Sequence, residues 1–235
     1  MTRKISLYSW LVTQNLTPQQ ADLWSDFIGD AFELIDEGYA LHCSAQEWSS
    51  FISGCHADHA TEPEITSGLG DRMRRLQEIA PIDSSRDRLT VGYEVATPGD
   101  HSHGIRKSKA DFRFDRKFEA GYLASFVLEA KPLRTPADMN SRYLGDEGIG
   151  CFLERDPPYS TDIIVGMIGY AFRNHLNWHE LLGNGLAAFA ESCDLFPIAL
   201  PSGKVCSISA HERATLGLSN VTVCHTILDY SSNSI

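Results

Sequence analysis

The chain has 235 residues, enough for one domain with a substantial core, or one domain with an added lobe. A net charge of −11 argues against a surface that binds nucleic acid everywhere, because phosphate binding is dominated by Lys and Arg; any such contact must be local or shared with a basic partner. No apolar run reaches the length of a membrane span, and the opening MTRKISLYSWLVTQN has neither the apolar core nor the cleavage site of a signal peptide. The six cysteines are scattered without a framework spacing, so the expected setting is a reducing cytoplasm with no membrane contact.

Residues 1–60 read as helical. Thr17 before Pro18 is a cap-and-start signal, and Ala21, Leu23, Trp24, Phe27, Ile28, Ala31, Phe32 and Leu34 follow at roughly helical spacing. Ser44 to Ile52 predicts a second short helix. His42, Cys43, Cys55, His56 and His59 are metal-capable types, but their spacing matches no zinc template. Packing or subunit contact is the role expected of this segment.

Thr61 with Glu64 three residues on forms a capping box, with Pro63 in the first turn. Ile65, Leu69, Met73, Leu76 and Ile79 then make one apolar stripe. Leu89 to Ala96 alternates as a strand and Thr97 to Asp100 is a turn, prolonged by His101, Ser102, His103 and Gly104. Two strands follow: Ala110 to Phe114, carrying Asp111, and Leu123 to Lys131, ending Glu129-Ala130-Lys131. Alternation puts Glu129 and Lys131 on one face with Ala130 turned away. The second strand is too apolar for a solvated edge, and charges buried there must be paired or bind a metal; the competing reading is a surface hairpin whose Glu and Lys pair across solvent.

Thr135 before Pro136 starts another helix, whose Asn140, Arg142 and Tyr143 face either the site or solvent. Ser160 to Phe172 (STDIIVGMIGYAF) is expected as a capped, nearly all-apolar helix packed closely through Gly166 and Gly169, and Trp178 to Ala190 as an amphipathic one. Phe196–Leu200, Val205–Ile208 and Val221–Leu228 are the remaining expected strands.

The pattern Asp111, Glu129-Ala130-Lys131 on adjacent strands, with Ala110 where proline is frequent, resembles the PD-(D/E)xK nuclease superfamily. The resemblance implies an α/β fold, a central mixed β-sheet flanked by helices and restriction-endonuclease-like, spanning 61–235 with an N-terminal helical extension over 1–60. It also implies metal-dependent endonuclease hydrolysis of phosphodiester bonds, with DNA the expected substrate and RNA not excluded. Asp111, Glu129 and the Ala130 carbonyl would hold Mg²⁺ or Mn²⁺, while Lys131 orients and helps deprotonate the water. The family often supplies another carboxylate from the helix before the sheet; Glu64 fits that place, or only caps its helix.

Residues 104–117 set Arg106, Lys107, Lys109, Arg113, Arg116 and Lys117 against only Asp111 and Asp115, a local basic patch for nucleic acid. The segment 140–159, and Ser209-Ala210-His211-Glu212-Arg213 with the later His225, are similar to defence-type members of the group. Arg142, His211 and Arg213 are therefore further phosphate-contact candidates, and a homodimer or a larger complex defending against foreign DNA is the setting implied. The alternative is a non-catalytic module binding nucleic acid or protein inside a multi-subunit assembly.

Overall fold

A computed structural model describes residues 5–56, 60–97, 108–173, 175–189, 195–200 and 205–233. The chain opens with a two-residue strand, β1 (Ile5–Ser6), then helices α1 (Leu7–Thr13), α2 (Pro18–His42), α3 (Ala45–Gly54) and α4 (Glu62–Glu78). The capping box at Thr17 forms as expected: its hydroxyl accepts from Gln20 N, and the Gln20 side chain accepts from Thr17 N. Strands β2 (Thr90–Ala96), β3 (Lys109–Glu119) and β4 (Tyr122–Leu133) follow, then short α5 (Pro136–Asp138), a π-helical turn (Met139–Tyr143) and α6 (Gly150–Leu153). The chain continues through β5 (Ile164–Ala171), α7 (Trp178–Phe189), β6 (Phe196–Ala199), β7 (Val205–Arg213) and β8 (Leu218–Asp229).

All eight strands join one mixed sheet in the order β1-β6-β7-β8-β5-β4-β3-β2. β4, β5 and β8 run parallel in its centre, and the β2–β3–β4 meander and the β6–β7–β8 meander are antiparallel on either side. The fold is α/β, with helices on both faces. One face carries α1, α2 and α4 over Phe112, Phe114, Phe126, Leu128, Ile168 and Ile208. The other carries the 139–153 segment and α7 over Val127, Val165, Met167 and Val223.

Among the described residues the front of the chain is mostly helical as expected, and α1 and α2 share the core of the sheet. Trp24, Phe27, Ile28, Phe32, Leu34 and Ile35 of α2 are buried in the same cluster as the sheet residues. At about 1.5–3 kcal/mol for each buried side chain they contribute roughly 10 kcal/mol, comparable to the net stability of a whole domain. β1 also pairs in parallel with β6 at the sheet edge.

The segment Ser160–Phe172 is a correction. It is not a helix: Ile164–Ala171 is the central strand β5, between β4 and β8 and buried along its whole length. A strand covered on both faces shows a continuous apolar run with no alternation, which periodicity cannot separate from a buried helix. Gly166 and Gly169 leave room for neighbouring side chains, since a Cβ there would sit 2.7 Å from Leu128 Cγ and 2.6 Å from Leu133 Cδ1.

β7 runs on to Arg213 rather than ending near Ile208, which decides the fate of two candidates. Arg213, expected at phosphate, is fully buried. It donates through Nε to Ser219 O (2.9 Å), through Nη1 to Ser160 O (2.9 Å) and through Nη2 to Asp162 O (3.0 Å). Its guanidinium is spent on tying the 160–162 and 219 backbones together. Among the described residues, no helix is long and apolar enough to cross a membrane.

Candidate functional site

β3 and β4 form a hairpin ladder that runs from Glu119↔Tyr122 to Phe112↔Leu128 and stops there. β3 stays paired to β2 as far as Ala96↔Lys109, while β4 continues along β5 through Glu129↔Met167, Ala130↔Ile168 and Lys131↔Gly169. The two strands therefore fork. The next ladder donor on β4, Ala130 N–H, is taken by the Asp111 carboxylate at 2.7 Å. A side chain thus replaces a backbone acceptor, which anchors Asp111 beside the Glu129-Ala130-Lys131 turn of the strand. Phe112, Phe126 and Leu128 fill the core on the α2/α4 face, leaving Glu129 and Lys131 on the face of the 139–153 segment.

Glu129 and Lys131 are 5% and 9% exposed. Lys131 Nζ donates to Glu129 Oε1 at 2.7 Å and to Glu62 Oε1 at 3.2 Å. Glu62 opens α4, and it is the acid that composition and spacing missed. Glu64, expected as the extra ligand, is turned away: its carboxylate accepts from Thr61 N (2.8 Å), Thr61 Oγ1 (2.7 Å) and His56 N (3.0 Å). These donors, the Thr61 hydroxyl foremost, pull its pKa down to about 2. The signal that would have found Glu62 was present: a capping box spends the acid at the third helical position, leaving the acid at the first free to reach elsewhere.

The charges are unbalanced. Asp111, Glu129 and Glu62 face one ammonium, a local charge of −2 when all are ionised. Burial, and then Glu62, push the Asp111 pKa up to about 6 against the pull of Lys131 and the Ala130 N–H. Burial and the neighbouring Asp111 carboxylate drive Glu129 well upward. Burial alone would lower Lys131, yet Glu129, Glu62 and Asp111 outweigh it and raise its pKa. Among the described residues Glu129 Oε2 is buried without a hydrogen-bond partner.

Lys131 and Glu62 open onto a cleft whose far wall is Ser141, Arg142, Gly145, Asp146 and Glu147. Two buried carboxyls, one of them with an orphan oxygen, and a third acid beside them are oxygen donors of the type a hard divalent cation takes. No group of three or more His, Cys, Asp or Glu side chains among the described residues is arranged to hold a metal ion.

The other candidates divide. Arg142 is exposed on the cleft wall, its Nε 3.5 Å from Asp138 Oδ1. Arg113, on the face of Asp111, is held by Asp115 (2.8 Å) and the Ser125 hydroxyl (3.0 Å). Lys109 is exposed, 3.7 Å from Glu94. Arg106, Lys107, His101 and His103 lie outside the described residues. His211 is buried and bonded to Ser209 at 2.7 Å, so like Arg213 it lies in the interior and not at the surface where the phosphate contact was expected. A further cleft at the opposite end of the sheet, between Trp24, Tyr122, Asp162 and Asn220, is lined by no basic side chain and is a poor match for phosphate.

Compared with protein-family models, with curated proteins and with solved structures, the chain shows no significant match. The functional reading therefore rests on the residues and their arrangement.

Proposed function

We propose that this protein is a divalent-metal-dependent nuclease of the PD-(D/E)xK type, cutting DNA on a restriction-endonuclease-like framework. One observation carries the reading: Asp111, Glu129 and Lys131 meet where β3 and β4 fork, and Lys131 opens onto a cleft. Asp111 and Glu129 would hold Mg²⁺ or Mn²⁺ with the Ala130 carbonyl, and the bound ion would supply Lewis acidity and a water of lowered pKa.

The residues' own parts follow from their electrostatics. In the metal-free protein the neighbouring carboxyls hold Lys131 as an ammonium, and from its place at the cleft it would serve as a cation for the scissile phosphate and an orienting donor for the water. Glu62 holds that ammonium from the second side. Arg142 faces Lys131 and Glu62 across the cleft and supplies the guanidinium that a phosphate entering there would meet.

The test is cleavage of plasmid DNA in Mn²⁺ by wild type, Glu129→Gln and Lys131→Ala. Loss in both variants is expected; equal activity in all three discards the assignment. A second reading, a non-catalytic binding module, is favoured by the way Lys131 closes on both glutamates; among the described residues, moreover, no group of three or more His, Cys, Asp or Glu side chains is placed to hold a metal ion. Calorimetric titration separates the two: a nuclease binds Mn²⁺ and loses it in Asp111→Asn, whereas a module gives no heat in either protein.

A further inference from the structure

Behind the cleft wall lies a second polar cluster that the nuclease reading does not use. Tyr143, the last residue of the π-helical turn, is fully buried; its hydroxyl lies 3.1 Å from Met167 O and 3.2 Å from His225 Nδ1. Ser209 Oγ is 2.7 Å from His225 Nε2 and 2.7 Å from His211 Nε2. Register places the cluster on the rung of the site, because Glu129 pairs with Met167 and Met167 with His225. Ser209 and His225 have no opening to solvent, so no reaction with an outside substrate is available to this serine.

The proton order along the chain follows from one carbonyl. Met167 O can only accept, so the single Tyr143 proton goes there, and Tyr143 can only accept from His225 Nδ1–H. Burial lowers the His225 pKa to about 3 and that of His211 to about 4, so both rings are neutral and carry one proton each. His225 Nε2 is therefore a lone pair that takes the Ser209 proton. Ser209 in turn accepts from His211 Nε2–H. The two histidines are held in opposite tautomers, and every link has one direction.

The same tyrosine carries the wall. Its carbonyl accepts from Ile149 N at 3.0 Å, and Leu144 N donates to Met139 O at 2.9 Å, folding 139–150 into a tight unit. On α7, a Cβ at Gly185 would stand 2.6 Å from Leu144 Cδ1 and 2.7 Å from Asn140 Oδ1, so this unit is also clamped from outside. Ser141, Arg142, Gly145, Asp146 and Glu147 ride on it into the cleft. Its apolar side chains Met139, Leu144 and Ile149 pack on the sheet beneath, and among the described residues Tyr143 joins it to this polar network.

We propose that Tyr143 is a positioning residue. Its hydroxyl, locked by the oriented chain from His211 through Ser209 and His225 to Met167 O, sets the distance between Arg142 and Lys131. What Arg142 then grips rests on the nuclease reading; the register of the wall does not.

The experiment uses the full chain with Tyr143→Phe, Arg142→Ala, the double variant and Ser209→Ala. In Mn²⁺-dependent cleavage, Tyr143→Phe is expected to raise KM for an oligonucleotide roughly tenfold with a smaller change in kcat. The double variant should be no worse than Arg142→Ala, since both act through one guanidinium. Additive losses, or an unchanged KM, overturn the proposal. Two readouts stand whether or not the protein cuts DNA. Imidazole ¹⁵N spectra should show Nδ1–H at His225 and Nε2–H at His211 in wild type, with the His225 pattern kept in Ser209→Ala and lost in Tyr143→Phe. Amide exchange over 139–150 should quicken in Tyr143→Phe while the central strands stay protected. The same tautomer in both histidines, or unchanged exchange in the wall, refutes it even in an inactive protein.

Discussion

Two polar clusters sit on one face of this sheet, a single strand apart, and they are opposites. At the fork, the carboxyls of Asp111, Glu129 and Glu62 crowd a single ammonium, Lys131, and one Glu129 oxygen is left without a partner among the described residues. Next to it, Tyr143, His225, Ser209 and His211 are neutral, and the links from Met167 O to His211 Nε2 are each made with a definite direction. Buried polar groups are normally satisfied, because each orphan costs about 1–3 kcal/mol. The second cluster obeys that rule and reads as framework. The first breaks it, and an unmet demand for positive charge is what a ligand can answer.

Four experiments sharpen or break this contrast. The largest effect is expected from Glu129→Gln, which removes the least satisfied acid: Mn²⁺-dependent cleavage should fall by about 10³-fold or more, measured in single turnover. Activity within a few-fold of wild type would make the fork another piece of framework.

Next is Arg213→Leu. It leaves the carbonyls of Ser160, Asp162 and Ser219 without their donor and should destabilise the fold by about 3–5 kcal/mol in denaturant titration, enough to prevent folding. A variant as stable as wild type would show that these buried bonds are not part of the framework.

Asp111→Asn tests the electrostatics of the metal-free protein. The folded-state pKa of Asp111 is raised, so its ionisation destabilises the fold. Stability from this group is fully present below the ordinary value near 3.8 and is lost as pH rises to about 6. The variant should gain up to about 3 kcal/mol over wild type near neutral pH, and the gain should vanish near pH 4. A constant difference across that window would show that Asp111 is not strained.

The smallest effect separates the two glutamates of α4. Glu64→Ala should cost about 1 kcal/mol through the lost cap and leave Mn²⁺ affinity unchanged. Glu62→Gln should alter Mn²⁺ affinity with little effect on the cap. The reverse outcome in calorimetry would restore Glu64 to the site.

The site was largely legible because its signal is short-range. Glu129 and Lys131 lie two apart on one strand, and strand alternation puts them on one face. Asp111 lies on the antiparallel neighbour, where a hairpin gives few registers to choose from. The helices α2 and α4 were legible through their caps, which are local hydrogen bonds between residues three apart. What failed depended on who sits next to whom. β5 looked helical because burial on both faces erases alternation. Arg213 and His211 looked like surface donors because nothing in their neighbourhood announces that β7 runs on to Arg213 and buries both side chains.

By itself, then, the amino-acid order determined the α/β alternation, the capped front helices and the convergence of Asp111, Glu129 and Lys131. Each of these follows from periodicity or from bonds between residues close along the chain. Only the tertiary structure decided that Glu62 rather than Glu64 reaches the lysine, that α1 and α2 join the core, and that Tyr143 is wired to His211 through three strands. Those outcomes turn on contacts between residues far apart along the chain, as in Lys131 with Glu62, 69 positions away, and Tyr143 with His225, 82 positions away. Such pairs are fixed by packing, which chooses among many partners that local chemistry leaves equally acceptable.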